Sequence, residues 1–499
     1  MRYATIVFIL MLTFAYVPFS AQGPAALTTE PTTVYVNSSE GLLQDVPYVW
    51  QEINGYCAWA ATSMAMKYAG ADVDLHDVFA ASTIGFSYAY IHYNDTILTY
   101  PGVMYTQAEP TDFIADLYGI NYTIYLGSSL SGVEQIQQVW ESEGISVGLL
   151  DGEVDAFNLM RTTIDLGYPL LISVDPSWLP AVDYDFLRAE GLTGGGHGVL
   201  IVGYDDAQGT ATLMDPGVGS FGDLYGYPED GRGNYTDITY TALNEAWSSR
   251  YYISNTFFPG GGPVADFSDR MGMMIRDKLL GVGTIYSPDS SSAFLWNYGE
   301  AGFRRMSEDF SPSGLASYLH IFDGIYSDSA RERLFKAAVL LFMGLGIETS
   351  ITLQGYSFRA GVSKLPDILP DVDLGEFVSA ASDATPHFDA LSNNNTLIHP
   401  GNISVIEGLI STTLFEISQQ YNSTGNLDAA IDAFSTDLES ISSHLLGIAD
   451  SWLAAGNALA NIWPNNMLIV YGPWIAIGGI VVGITIVALF TQIRKTKSQ

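Results

Sequence analysis

Residues 51–70 read QEINGYCAWAATSMAMKYAG and contain the only cysteine of the 499-residue chain. Small and apolar side chains recur in this stretch at three- and four-residue spacing, namely Ala61, Met64, Ala65 and Tyr68. The spacing predicts a helix from Ala58 that stops near Gly70. Cys57 then lies at the helix N-terminus, where unpaired N–H groups and the positive end of the helix dipole favour a thiolate over a thiol.

A lone cysteine cannot form an internal disulfide, so Cys57 is either a small buried residue that packs at the start of a helix or a reactive thiol. Gln51 lies six residues before it. At that distance the side-chain amide of Gln51 reaches an oxyanion formed beside the sulfur. The choice between the two interpretations depends on whether a histidine partner follows downstream.

The partner is His197, which stands at the head of the apolar stretch HGVLIVGY, residues 197–204. A polar turn at 205–209 and a second strand at 210–214 lead to Asp215. Antiparallel pairing places His197 and Asp215 side by side, because they lie almost equally far from the middle of the turn. Taken singly, His197 is also compatible with a strand-end histidine, and Asp215 with a turn cap.

Gln51, Cys57, His197 and Asp215, in this order and spacing, resemble the papain-like cysteine peptidases. The closest resemblance is to the double-glycine (bacteriocin-leader) peptidases and to secreted proteins built on that domain, and it covers residues 45–258. A helix, a Gly-x-Pro turn and an apolar strand within that range fit the second lobe of such a domain. The implied fold is α+β, with an N-terminal helical lobe and an antiparallel sheet.

The resemblance implies hydrolysis of a polypeptide, and the export predicted from the two ends of the chain would place that substrate at the cell surface. Cys57 is the nucleophile, and His197 takes its proton and later protonates the leaving amine. Asp215 orients His197, and Gln51 with the N–H of Cys57 forms the oxyanion hole. No cofactor and no metal are implied. Asp175 or Asp205 is the alternative orienting acid.

Other functions fit the same four residues. An acyltransferase or amidase uses the same triad, and a non-catalytic surface binding or adhesion protein keeps the fold without turnover. The double-glycine peptidases usually form part of an ATP-driven exporter, but this chain has no G-x-x-x-x-G-K-[ST] loop. We therefore do not predict that it cleaves leader peptides. No oligomeric state is predicted.

The two ends of the chain predict export and anchoring. Residues 1–22 carry an early Arg2, an apolar run and small residues, which is typical of a signal peptide, with a retained anchor as the alternative. Residues 23–44 are a linker. Residues 467–493 are long and apolar enough to span a bilayer, and the basic tail 494–499 stays in the cytoplasm. The sequence therefore predicts a single-pass type I protein with the cysteine outside the cell, in contact with membrane lipid only through residues 467–493.

The composition fits this location. Seven N-x-S/T sequons precede the apolar segment, at Asn37, Asn94, Asn121, Asn234, Asn394, Asn402 and Asn422. A formal charge of −35 argues against nucleic-acid binding, because phosphates would be repelled. An acidic, sequon-rich chain without disulfides resembles archaeal surface proteins.

The breaker cluster at 259–263 predicts a linker between two domains. Beyond it, residues 264–460 show helical periodicities and predict a mainly α-helical extracellular domain. The apolar run at 337–347 is too short for a second span and predicts a buried helix. The histidines of this half are expected to have neither a cysteine nor a near histidine partner, so no metal site is predicted; they are His320, His387, His399 and His444.

Overall fold

The computed structural model describes most of the chain between residues 39 and 464. Residues 54, 83, 85–88, 94–95, 103–109, 143, 190, 192, 220–230, 282–284, 287–294, 298 and 393–407 fall outside the description. The predicted signal peptide, membrane span and cytoplasmic tail also lie outside the described residues.

Twelve strands are described, in chain order: β1 (Glu40–Leu42), β2 (Ala89–Tyr93), β3 (Thr96–Gly102), β4 (Ile120–Gly127), β5 (Val147–Leu150), β6 (Leu170–Val174), β7 (His197–Asp205), β8 (Thr210–Met214), β9 (Thr236–Thr239), β10 (Ser254–Pro259), β11 (Ile285–Tyr286) and β12 (Leu295–Asn297). The described helices up to residue 279 are α1 (Cys57–Tyr68), α2 (Leu75–Ser82), α3 (Pro110–Leu117), α4 (Val133–Ser142), α5 (Glu153–Asp165), α6 (Asp185–Ala189), α7 (Tyr240–Ser248) and α8 (Phe267–Leu279). Those that follow are α9 (Gly299–Asp309), α10 (Pro312–His320), α11 (Ser329–Ile368), α12 (Gly375–Ser382), α13 (Thr385–Leu391), α14 (Leu409–Thr424), α15 (Leu427–Asp432) and α16 (Ser435–Ile462). Short 3₁₀ turns occupy Pro176–Trp178 and Val182–Tyr184.

These elements form two compact units. Among the described residues, the sheet unit comprises 39–75 and 107–265, and the helical unit comprises 76–106 and 266–464. The division after residue 265 follows closely on the predicted linker at 259–263. The predicted domain 45–258 differs in one respect, because its residues 76–106 pack with the helical unit. The reason is long-range pairing: β2 pairs with β12, about 200 residues later in the chain.

An eight-stranded sheet organises the sheet unit, in the order β5-β4-β10-β6-β7-β8-β9, with β1 paired to the far end of β7. All of these pairs are antiparallel except β4 with β5. Every residue of β7 from His197 to Tyr204 is buried. A strand buried on both faces reads as a continuous apolar run, which is why this segment shows no polar alternation.

The predicted first helix is confirmed as α1. It begins at Cys57, buries Ala61 and Met64 completely, and packs against β7, β6 and β10. Gly70 follows the helix with φ +100°, a conformation that glycine adopts without strain. The apolar stripe of the sequence is therefore the face that holds the helix on the sheet.

The predicted hairpin is confirmed as β7 and β8, but its register contains an irregularity. Leu200 pairs with Met214, whereas Gly203 pairs with Thr212, so one extra residue lies in β7 between the two positions. Extending the first register places Asp215 beside Val199 rather than beside His197 itself. His197 and Val199 point to the same face of the strand, so the bulge leaves the histidine and the carboxylate diagonal neighbours.

The helical unit is built around Trp452 of α16, which is fully buried. Phe303, Phe358 and Phe388 surround it, with ring centroids 4.9, 5.3 and 6.2 Å from the indole. Helices make up most of this unit, but it also contains the four-stranded sheet β11-β12-β2-β3, which was not predicted. The strands β11 and β12, of two and three residues, are too short to produce a readable periodicity.

The run at 337–347 lies within the 40-residue helix α11, where Leu340 and Ile347 are fully buried. Among the described residues α11 is the one helix long and apolar enough to cross a membrane, by length and composition alone. A buried core helix meets the same criteria, and 47% of its most apolar segment is buried in the protein.

The expectation that no histidine of this half has a near histidine partner is wrong. His387 of α13 and His444 of α16 lie in contact, with their Nδ1 atoms 3.1 Å apart. The pair is 57 residues apart in the chain, so the sequence spacing gave no sign of it. His320 bonds to Asp323 and Asp428 on the surface, and His399 lies outside the described residues.

Candidate active site

Cys57 is the first residue of α1 and is half-buried. The loop before it is held in an unusual conformation, with Glu52 at φ 64° and Gly55 at φ 115°. A non-glycine residue in the left-handed region costs about 1–2 kcal/mol and persists only where its surroundings hold it. Two backbone hydrogen bonds do so here, from the N–H of Gln51 to Pro216 and from the N–H of Ile53 to Gln51.

His197 and Asp215 form a direct pair. Nε2 of His197 lies 2.7 Å from Oδ1 of Asp215, and both residues are only 4% exposed. Because Nε2 faces the carboxylate, the hydrogen bond between His197 and Cys57 is left to Nδ1. The predicted partners therefore meet in one connected row of thiol, imidazole and carboxylate.

The charges of this row shift two pKa values in opposite directions. Burial on its own would raise the pKa of the Cys57 thiol, but the charge and hydrogen bond of His197 and the N–H groups of Gly198 and Ala58 bring it below its ordinary value of 9.0. Burial on its own would lower the pKa of His197, but Asp215 and Cys57 raise it to about 10. The pKa of the thiol thus lies below that of the imidazolium, so the site favours a thiolate and imidazolium pair over a neutral thiol and imidazole.

Two glycines allow the row to close. A Cβ on Gly198 would lie 3.0 Å from the Cα of Ala58, so the missing side chain lets β7 approach the start of α1. A Cβ on Gly217 would lie 2.6 Å from Cε1 of His197. Any larger residue at position 217 would push against the imidazole ring.

Tyr48 and Trp50 join the cysteine loop to the turn after β8. Tyr48 donates its hydroxyl to the backbone oxygen of Asp215 at 2.8 Å, and the indole N–H of Trp50 donates to Val218 at 3.1 Å. Neither residue was predicted from the sequence. The signal available in the sequence was the pair of aromatic residues at positions 48 and 50, directly before Gln51. Tyr and Trp side chains that lie inside a protein usually form hydrogen bonds through their polar atoms.

Tyr184 was also not predicted. Its hydroxyl lies 3.0 Å from both carboxylate oxygens of Asp215 and 3.1 Å from Nε2 of His197. Tyr184 is fully buried, and burial followed by the charge of Asp215 raises the pKa of its phenol well above the ordinary value. It therefore stays protonated and donates to the carboxylate.

Gln51 is fully buried, and among the described residues neither Oε1 nor Nε2 of its side chain has a hydrogen-bond partner. A buried amide without partners is costly and is rare in native structures. The N–H of Gln51 bonds to Pro216, the residue after Asp215, so the amide belongs to the same site as the triad. The arrangement suits an amide that finds its acceptor only when substrate is bound.

The alternative orienting acids have other partners. Asp175 accepts the N–H groups of Ser177 and Gly194. Asp205 accepts the N–H groups of Ala207 and Gln208 in the turn between β7 and β8. Of the three candidates, only Asp215 is within bonding distance of His197.

Within the described part of the chain, no group of three or more His, Cys, Asp or Glu side chains is arranged to hold a metal ion. Residues 43–245 match the model of the Peptidase_C39 like family. The match spans about two-fifths of the chain, includes all four predicted site residues, and supports a cysteine peptidase of the papain-like kind. No curated protein matches the chain.

The lowered pKa of the thiol predicts the pH dependence of its alkylation. The rate with iodoacetamide should rise as the pH passes through the lowered pKa of Cys57, below 9.0. His197→Ala removes the charge and the hydrogen bond of His197, the two largest causes that lower this pKa, and leaves the burial that raises it, so the midpoint should move upward. For every pH unit by which the midpoint of the variant lies above both pH 7 and the parent midpoint, alkylation at pH 7 should become about 10-fold slower.

The exposed His320 provides the matched control. His320→Ala should leave the alkylation profile unchanged, because its ring bonds to Asp323 and Asp428 in the helical unit. Equal profiles for the parent and His197→Ala would contradict the assignment of His197 as the thiol's partner.

Proposed function

We propose that this chain is a membrane-anchored extracellular cysteine peptidase that hydrolyses peptide bonds. One observation carries the proposal: half-buried Cys57 and buried His197 and Asp215 form a continuous row beside the Gln51 amide, which has no hydrogen-bond partner among the described residues. A structural cysteine needs no imidazole held by a carboxylate, and a structural glutamine does not leave both side-chain atoms unbonded in the interior. The family match at 43–245 supports the same reaction class.

The first half of the reaction begins with the thiolate of Cys57, which attacks the carbonyl carbon of the scissile peptide bond. The carbonyl oxygen becomes an oxyanion, and Nε2 of Gln51 with the N–H of Cys57 donates to it. Each such donor contributes about 3–4 kcal/mol of transition-state stabilisation in comparable sites. The imidazolium of His197 then gives its Nδ1 proton to the leaving amine, and the C–N bond breaks.

The second half releases the acyl group. Nδ1 of His197, now neutral, removes a proton from water, and the hydroxide attacks the thioester carbon. The C–S bond breaks, and the Cys57 thiolate returns with its imidazolium partner. Asp215 holds Nε2–H throughout, so that Nδ1 always faces the sulfur.

The kinetic prediction separates the roles of Cys57 and Gln51. With a peptide identified by library digestion, Cys57→Ala should abolish turnover. Gln51→Ala should lower kcat by about 100- to 1,000-fold with little change in KM, because its bond forms only in the transition state. Gln137 bonds to Glu141 on the exposed surface of α4, and Gln137→Ala is the matched control with unchanged kinetics.

Two results would contradict the proposal. One is no cleavage of any library peptide by the parent. The other is a Gln51→Ala variant that behaves like the Gln137→Ala control. A parent that transfers acyl groups to added amines in preference to water would support the acyltransferase alternative instead.

The location outside the cell is proposed from the two ends of the chain, 1–22 and 467–493. The surface of the described residues is compatible with it, because the described sequon residues Asn121, Asn234 and Asn422 are all exposed. A strongly acidic surface also suits a soluble ectodomain. Substrates would then be polypeptides at the cell surface.

Labelling of intact cells tests the orientation. Because Cys57 is the only cysteine, a membrane-impermeant maleimide that labels the protein must have reached it. We expect equal labelling of intact and opened cells, and none in Cys57→Ala. Labelling only in opened cells, although the purified protein reacts readily, would place the site on the cytoplasmic side.

A further inference from the structure

Asp215 is surrounded by more donors than the triad requires. Oδ1 accepts from His197 at 2.7 Å and from the N–H of Gly217 at 2.9 Å. The hydroxyl of Tyr184 lies 3.0 Å from Oδ1 and from Oδ2. Among these contacts Tyr184 alone reaches Oδ2, the oxygen that does not face the imidazole. A carboxylate bonded on both oxygens cannot turn away from the ring.

The position of Tyr184 is stabilised by the bonds of the residue before it. The neighbouring Asp183 has a fully buried carboxylate that accepts from Arg232 at 2.9 Å and from the N–H of Gly219 at 2.8 Å. Gly219 belongs to the same turn that carries Asp215. The 3₁₀ turn Val182–Tyr184 is thereby bonded to the turn after β8 at two places. Asp183 accepts from Gly219, and Tyr184 donates to Asp215.

The turn after β8 packs closely against the hydroxyl of Tyr184. A Cβ on Gly217 would lie 2.7 Å from Oη of Tyr184, as well as against the imidazole of His197. The rings of Tyr184 and His197 are in contact, with centroids 5.7 Å apart. Phenol, imidazole and carboxylate therefore form one close-packed group.

We infer that Tyr184 is the positioning residue of the site: its hydroxyl holds the Asp215 carboxylate against Nε2 of His197 and so keeps Nδ1 directed at Cys57. This inference rests on the proposed function for its catalytic consequence. In this role Tyr184 acts through Asp215, the carboxylate to which its hydroxyl donates.

A double-mutant cycle tests the inference. Tyr184→Phe keeps the buried ring and removes the oxygen alone. We expect kcat/KM to fall by about 10-fold, the size expected when a hydrogen bond to a charged group is lost. In an Asp215→Ala background the same change should have almost no effect, because the side-chain oxygens on which Tyr184 acts are gone. Equal losses in both backgrounds would overturn the inference.

The alkylation profile of Cys57 gives a second readout that needs no substrate. With the carboxylate free to turn, the imidazolium is less stabilised, and the thiolate loses part of its counter-charge. Tyr184→Phe should therefore move the midpoint of alkylation to higher pH. An unchanged or lower midpoint would overturn the inference even if no peptide substrate is found, so its failure differs from failure of the proposed function.

Tyr204 supplies the matched control. It lies on β7, the strand that begins with His197, is 3% exposed, and donates its hydroxyl to Asp165 at 2.7 Å. Tyr204→Phe also removes one hydrogen bond to a carboxylate, a partly buried one at the far end of the strand. We expect both Phe variants to lose a similar amount of thermal stability, and only Tyr184→Phe to change the kinetics and the alkylation midpoint. If Tyr204→Phe changes them equally, the effect is structural and the inference fails.

Discussion

The contact between Nε2 of His197 and Oδ1 of Asp215, 2.7 Å long and almost fully buried, is the interaction on which the rest of the site depends. A carboxylate in the interior is tolerated only with donors around it, and removing one partner of a buried pair costs about 3–5 kcal/mol. The surroundings of Asp215 follow from this requirement. The N–H of Gly217 and the hydroxyl of Tyr184 both complete its bonding.

The same contact explains why distant parts of the chain meet. Cys57 must come within hydrogen-bonding distance of Nδ1 of His197, the ring nitrogen that does not face Asp215. The absence of a side chain at Gly198 lets α1 approach β7, and Tyr48 and Trp50 tie the cysteine loop to the turn after β8. The sheet unit therefore holds the thiol on a helix end and its partners on a hairpin, two rigid elements joined by hydrogen bonds.

The sequence was informative wherever a local pattern carried the information. The stripe of α1, the apolar run of β7 and the turn at 205–209 each have a period or a composition that only one element type explains. These patterns placed His197 near Asp215, and the resemblance to the papain-like peptidases added Cys57 to them. The irregularity between Ile201 and Gly203 has no such pattern and was not predicted.

Long-range packing accounts for what the sequence did not reveal. Tyr184 stands 31 residues before Asp215, and its position depends on a bond between Asp183 and Arg232. Residues 76–106 leave the sheet unit because β2 finds its partner in β12. His387 and His444 likewise meet only because α13 packs on α16. No single stretch of sequence encodes any of these contacts.

The central claim is that the resting site holds an imidazolium beside a thiolate. Nitrogen NMR of the His197 ring tests it most directly, since the chain has only seven histidines and one variant assigns the signal. The account predicts that His197 is doubly protonated at pH 8, loses its proton near pH 10, and titrates at lower pH once Cys57→Ala removes the sulfur. A ring that titrates near the ordinary value of 6.5, equally with and without the sulfur of Cys57, would contradict it.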